Sequence, residues 1–383
     1  MKKIGTITFH CAYNYGAMLQ TYALQQKIKD KGYKTEVINF VPDELNDEYK
    51  VKLLNFSKGI KKFISSLTTY NINKKREEIF KKFLNEKIEI SLKEFRTVEE
   101  LKKVKLDYDL CITGSDQVWN PAIVHSTAYF LDFGSRNMGR ISYAASFGQE
   151  NILKEYERKI GNLLKNFDFI SIREKSGVNL VKKLSEKNAI QVLDPVFLLS
   201  KEEWKFLEND VIEKLNLKNG YILLYSMEKN QKLLEYAEKI KEHINKPIVI
   251  IHSSYGLKAQ IEILKSKNIN IAVAGPQEFI TLFVNADFII TNSFHGTSFS
   301  IIFDKPFLSI PHSTRNTRLE SILNLLKLEK RFLKDTDKYL TAKELLIKGN
   351  FKDVDTDRIM KKEIEKSENF LFDSIEYFRM ENE

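Results

Sequence analysis

Short apolar runs recur along the chain, each followed by a stretch with apolar residues three or four positions apart. That pattern predicts strands alternating with helices. Residues 3–9 form a first strand. A helix follows over Ala17–Lys31, with Met18, Leu19, Tyr22, Ala23 and Ile28 on one face, and then a strand over Thr35–Phe40. Further strands are predicted at Tyr108–Thr113, Ala128–Phe133, Arg140–Ala145, Asp168–Ile172 and Ile190–Leu193, with a helix over Ile152–Asn166. The second half repeats the rhythm with strands near Tyr221–Ser226, Pro247–His252, Asn270–Val273, Phe288–Thr291 and Phe307–Ile310. Helices near Asn230–Ile244, Leu257–Lys265 and Pro276–Asn285 lie between them. This alternation implies mostly parallel sheets with helices on both faces.

A chain of 383 residues exceeds one core, so two α/β units facing across a cleft are expected. The pattern places the first domain at 1–198, interrupted by a Lys-rich helical insertion at about 42–105 whose apolar positions are Phe63, Ile64, Leu67, Ile79, Phe80, Phe83 and Leu84. The second domain covers 199–354, and a C-terminal helix in 355–383 returns to the first. The 61 basic and 52 acidic residues interleave, so the net charge of +9 reads as a solvated Lys-rich surface. That surface favours anionic substrates and admits peripheral membrane contact at the insertion, the blander reading there being a helical cover with solvated lysines. No pattern of a nucleic-acid-binding module is present, so no nucleic acid is expected. Cys11 and Cys111 are too few for a disulfide framework or a zinc site, which fits a reducing cytoplasm, and no metal is expected. No apolar run of about eighteen residues and no signal-peptide pattern occurs, so a soluble, unprocessed protein is expected.

The densest candidate chemistry lies in Asp287–Pro306. A buried strand, Phe288-Ile289-Ile290, leads through Ser293 and His295 to a helix expected to begin at Gly296-Thr297-Ser298. Such a helix start offers unpaired N–H groups and the positive end of its dipole, with an imidazole at its mouth. A similar strand-to-helix passage holds Asn14 and Gly16, but without a dinucleotide fingerprint. A third holds Ser115, Asp116 and Trp119; Asp116 suits either a base or a turn-stabilising role, and Trp119 suits the core. Arg173 follows a strand, as a clamp for carboxylate or phosphate or as one half of an ion pair. The loop after the last strand carries His312, Arg315 and Arg318.

Three stretches together carry a resemblance: His10…Asn14-Tyr15-Gly16-Ala17…Leu19-Gln20…Tyr22-Ala23-Leu24, then Gly114-Ser115-Asp116-Gln117-Val118-Trp119, then Asn292-Ser293-Phe294-His295-Gly296. In order and spacing they resemble the polysaccharide pyruvyl transferase family over roughly residues 3–330. The resemblance implies two Rossmann-like domains facing across a cleft, similar to GT-B glycosyltransferases. It also implies transfer of a pyruvyl group from phosphoenolpyruvate to a sugar of a cell-surface glycan precursor, lipid-linked or nucleotide-linked, as a ketal. The family's catalytic histidine matches His295, its Arg-Glu arginine matches Arg173, and a basic residue further on matches Arg315. Where the family commonly has Arg-Leu-His, this chain has Ser293-Phe294-His295, which removes one anion contact that Arg315 or Arg318 could replace. Ketal formation needs proton transfer and anion binding and no redox cofactor. The expected site is therefore His295 and Asp116 as catalytic groups, with Arg173, Arg315, Asn14, Gly16, Ser115, Ser293, Gly296 and Thr297 binding substrate. The alternatives are a nucleotide-sugar glycosyltransferase of the same fold and a non-catalytic glycan-binding protein.

Overall fold

The computed structural model describes residues 3–45, 60–228, 230–252, 267–313, 316–334, 337 and 339–380, without the side chains of 60–69 and 380. Among the described residues, eleven strands build two parallel sheets. The first sheet has β1 (Ile4–Ile7), β2 (Thr35–Val37), β3 (Leu110–Thr113), β4 (Gly139–Ala145), β5 (Phe169–Ile172) and β6 (Ile190–Gln191) in the order β2-β1-β3-β4-β5-β6. The second has β7 (Ile222–Ser226), β8 (Ile248–His252), β9 (Ile269–Ile271), β10 (Phe288–Thr291) and β11 (Phe307–Ser309) in the order β11-β10-β7-β8-β9. Around them run α1 (Tyr15–Asp30), α2 (Ile60–Lys87), α3 (Val98–Lys102), α4 (Lys154–Leu164), α5 (Lys175–Ser185), α6 (Lys201–Lys205) and α7 (Val211–Lys214). Then come α8 (Gln231–Ile244), α9 (Pro276–Asn285), α10 (Phe294–Ile302), α11 (Thr317–Leu325), α12 (Ala342–Gly349) and α13 (Thr356–Met380).

The winding order of the parallel strands reverses at one place in each sheet, between β1 and β3 in the first and between β7 and β10 in the second. Loops leaving the carboxyl ends of strands splay apart at such points and leave a crevice. The two crevices face each other, and the core runs unbroken between the halves. Tyr15 of α1 stacks on Phe279 of α9 at 4.7 Å between ring centroids, and its hydroxyl donates to the Ala274 carbonyl. Trp204, Phe299 and Phe283 extend the same aromatic cluster.

The insertion is a strap. Phe80 and Phe83 of α2 are buried in this shared core, and Arg76 stacks over Tyr15 while donating to the Tyr13 carbonyl. Ile79 lies so close to Gly275 that a Cβ there would come within 2.2 Å of it. Phe63, Ile64 and Leu67 have no described side chains. The helix expected at Leu257–Lys265 lies outside the described residues, and no described helix is long and apolar enough to cross a membrane.

Two expectations about local structure fail. The apolar run Ala128–Phe133 is no strand: Thr127–Phe130 is one turn of 3-10 helix, closed by Leu131 at φ 54°. Its backbone is held by tertiary partners, because the Trp119 indole and the Thr113 hydroxyl both donate to the Tyr129 carbonyl. A short apolar run signals burial without specifying the backbone that is buried. The helix after β10 begins at Phe294, earlier than Gly296, because Ser293 adopts extended backbone and caps it, its hydroxyl accepting from the Gly296 N–H.

Leu371, Ile375 and Phe378 of α13 pack on Ile4, Leu110 and Ile141 of the first sheet. Leu371 is fully buried. Leu371→Ala is expected to cost about 2–5 kcal/mol, a loss of transfer energy plus a cavity, visible as a lower urea midpoint at unchanged slope.

Candidate functional site

One buried carboxylate gathers the site. Asp194 follows β6, caps the turn Pro195–Leu198 through the Val196 N–H, and is 1% exposed. Its Oδ2 accepts from the Ser115 hydroxyl at 2.8 Å and from Arg173 Nη1 at 2.7 Å. His295 Nε2 lies 3.6 Å from the same oxygen. Burial works against the Asp194 charge, but His295 and Arg173 outweigh it and hold the carboxyl well below the usual carboxylate range. Burial also opposes the Arg173 charge, and Asp194, Asp116 and Glu174 overcome it and raise that pKa above its ordinary value.

Arg173 is thus committed inward. It is 5% exposed, sits 4.3 Å from the Phe294 ring centroid, and has Nη2 3.7 Å from Asp116. Its neighbour Glu174 does a separate task, accepting the Phe147 and Gly148 N–H groups and fixing the loop after β4. Of the two sequence readings for Arg173, the ion pair is the one seen, with Asp194 as its partner.

His295, in the first turn of α10, is 7% exposed and wedged against the first turn of α1. A Cβ on Gly16 would fall 1.9 Å from His295 Nδ1. Gly16 therefore makes room for the imidazole and does not line the cavity. The imidazole of the second half is held by a glycine and a carboxylate of the first, so the site exists only with the halves together.

In front of His295 lies a cavity of about 460 Å³ at the facing crevices. From the first half it is lined by Phe9, Asn14, Asp116 and Gln117, and from the second by Met227, Asn292, Ser293, His295, His312 and Arg318. Asn14 caps α1 by accepting the Ala17 N–H, so two capped helix starts, α1 and α10, meet here. Neither first turn has an acidic residue. Both positive dipole ends thus favour an anion. Asp116 lies at the rim with φ 78°, a conformation costly for a side chain, next to an isolated bridge to Ala145.

The structure thus brings His295, Asp116, Asn14 and Ser293 to one cavity. Arg173 and Ser115 stand behind it in the Asp194 network. Gly296 and Thr297 are packing residues: a Cβ on Gly296 would meet Thr291 Oγ1 at 2.4 Å, and Thr297 Oγ1 pairs with Ser309 Oγ at 2.7 Å. Arg315 lies outside the described residues. His10 is a structural histidine between the Thr8 carbonyl and Asn39, its pKa pushed down by burial. Sequence reasoning missed Asp194 as a site residue; its one signal was an Asp-Pro pair at a strand end. Among the described residues, no group of three or more His, Cys, Asp or Glu could hold a metal ion.

The family model for polysaccharide pyruvyl transferase matches residues 14–314, most of the chain, a span that holds Asn14, Asp116, Arg173, Asp194, Ser293 and His295 but not Phe9 or Arg318. The chain belongs to the polysaccharide pyruvyl transferase family. It is a transferase by that membership, and it matches no curated protein by sequence. Among solved structures, a protein described as a UDP-N-acetylglucosamine 2-epimerase from Listeria monocytogenes aligns with TM-score 0.55 at 14% identity, over 100% of this chain and 98% of that one. The S. aureus MnaA–UDP structure gives 0.52 at 12% identity, over 99% and 97%. These likenesses show the fold alone, which is GT-B.

Two outcomes follow from this geometry. Asp194→Ala strands the buried Arg173 charge and is expected to cost about 3–5 kcal/mol. Because the Asp194 pKa is depressed on folding, its contribution is fully present above about pH 4, the unfolded carboxylate range, and is lost as pH falls toward the lower folded value. The wild-type advantage over the variant should shrink across that acid window in urea titrations. Gly16→Ala should lower the melting temperature even though alanine favours a helix by about 1 kcal/mol, and adding His295→Ala should restore it.

Proposed function

We propose that this transferase moves the pyruvyl group of phosphoenolpyruvate onto two hydroxyls of a cell-surface polysaccharide precursor, lipid-linked or nucleotide-linked, closing a ketal. The observation that carries the reading is an imidazole backed by a buried carboxylate, set where two helix starts without acidic residues open into one cavity. The donor is an anion with both a carboxylate and a phosphate, and it needs a proton on its methylene carbon. His295 is the acid for that carbon, with the Asp194 carboxylate 3.6 Å from its Nε2 behind it.

Arg318 supplies a cation at the cavity where Ser293 replaces the usual arginine. Its guanidinium lies 5.9 Å from the Phe294 ring centroid, and it stands in the first turn of α11. Asp116, across the cavity, is the base for a sugar hydroxyl, and its strained backbone is what such a role would justify. Phosphoenolpyruvate is made in the cytoplasm, so on this reading the reaction occurs there.

Assay of phosphate release from phosphoenolpyruvate against a panel of glycan precursors tests the reading. His295→Asn should lower kcat/KM by roughly 10²–10⁴, the range for losing a positioned acid, while keeping the wild-type melting temperature within a few degrees. Arg318→Ala should raise KM for phosphoenolpyruvate about tenfold, the loss of a charge-assisted contact. Calorimetric binding of UDP-sugars, with none of phosphoenolpyruvate, would instead favour glycosyl transfer.

A further inference from the structure

One polar side chain of the cavity has no task in the chemistry described so far. Gln117 follows Asp116 in the loop after β3, lines the cavity and is 6% exposed. A short relay of hydrogen bonds fixes which end of its amide can donate. The Ala122 N–H has only a proton to give, and it gives it to Asn120 Oδ1 at 3.0 Å. Asn120 therefore turns Nδ2 toward Gln117 and donates to Oε1 at 2.9 Å. The oxygen of Gln117 is thus taken, and Nε2 keeps two N–H groups with no partner among the described residues.

The oxygen end is also boxed in. A Cβ on Gly148 would fall 2.0 Å from Oε1 and 2.7 Å from the amide carbon, and Gly148 has φ 69°, so only a glycine fits beside that oxygen. Glu174 and the Ser146 hydroxyl both accept the Gly148 N–H and hold it there. The loops after β3 and β4 are joined to each other, because the Ser146 N–H donates to the Asp116 carbonyl and the Trp119 N–H to the Ser146 carbonyl. Neither Asn120 nor Gly148 lines the cavity. Oε1 faces these two residues, and Nε2 is the end of the amide turned from them.

The charges nearby indicate what such a donor meets. The Asp116 carboxylate is tied to Gln117, its Oδ1 accepting the Gln117 N–H at 2.9 Å, and it disfavours an anion at this wall. A neutral amide beside a carboxylate suits a neutral oxygen, a hydroxyl or an acetamido carbonyl. We propose, resting on the reading above that a sugar is the acceptor, that Gln117 Nε2 donates to an oxygen of that sugar, next to the hydroxyl that meets Asp116. Gln117 is then a specificity-determining residue. A sugar with no oxygen at that place leaves a buried donor unpaired and binds less well for it.

The probes are hexoses and N-acetylhexosamines linked to UDP or to a polyprenyl diphosphate, with derivatives that each lack one hydroxyl or the acetamido group. Turnover is read as phosphate released from phosphoenolpyruvate. On the probe that the wild type uses best, Gln117→Met should raise the KM for that probe about tenfold, the loss of one hydrogen bond, and leave the KM for phosphoenolpyruvate within twofold. Gln117→Glu keeps the shape and the contact with Asn120 but has no N–H to give, and should show at least the same rise. One derivative should lose about tenfold with the wild type and nothing further with either variant, which identifies the oxygen. Three results overturn the proposal: an unchanged KM for the probe, a raised KM for phosphoenolpyruvate in its place, or one factor shared by the parent probe and every derivative, as a merely structural role would give. Should Gln117→Met fail to fold, Gln117→Glu and Gln117→Ala are read by the same comparison. A wild-type enzyme that releases no phosphate with any probe overturns the parent reading and this one with it, and that fault shows before any variant is made.

Discussion

The carboxylate of Asp194 is the constraint on which the site depends. It is fully buried, and such a charge persists only among compensating partners. Those partners come from distant parts of the chain: Ser115 after β3, Arg173 after β5 and His295 from α10. Satisfying one anion therefore brings the carboxyl ends of both sheets into register. The same oxygen that neutralises Arg173 lies 3.6 Å from the imidazole, so one group both stabilises the core and borders the candidate site.

Around that anion the fold removes whatever would keep the two halves apart. Gly16 lets the imidazole reach the first turn of α1, and Tyr15 beside it stacks on Phe279 of the other half. Phe80, Phe83 and Arg76 of α2 tie the insertion into the same aromatic cluster. An interface with so continuous an apolar core is far from the polar, loosely held contact usual between domains of one chain. The cavity is left at the crevices, where two helix dipoles add positive potential and the backbone N–H groups are already positioned.

Much of this was legible in the chain. The alternation of apolar runs with helical periods gave the two parallel sheets, because strand and helix periods are local properties of the sequence. His295, Asn14, Asp116 and Ser293 were legible too, since strand-to-helix passages with small polar residues announce helix caps and crevices. The run Ala128–Phe133 misled because its apolar side chains are buried around a turn anchored on Trp119 and Thr113, contacts that no local pattern encodes. Thr297 and Gly296 misled in the opposite sense. They follow the histidine in sequence, but the helix rotates roughly 100° per residue, which carries them to the face packed on β10 and β11.

By itself the sequence determined the order of elements, the family motifs and the helix start that carries His295. Only the tertiary structure decided that Arg173 serves Asp194 inside the protein, that Gly16 exists to admit an imidazole, and that His312 borders the same cavity as His295. The physical reason is that strand periodicity and capping act over a few residues. The neutralisation of a buried charge and the packing of a ring against a glycine depend on groups that meet only when the chain has closed on itself.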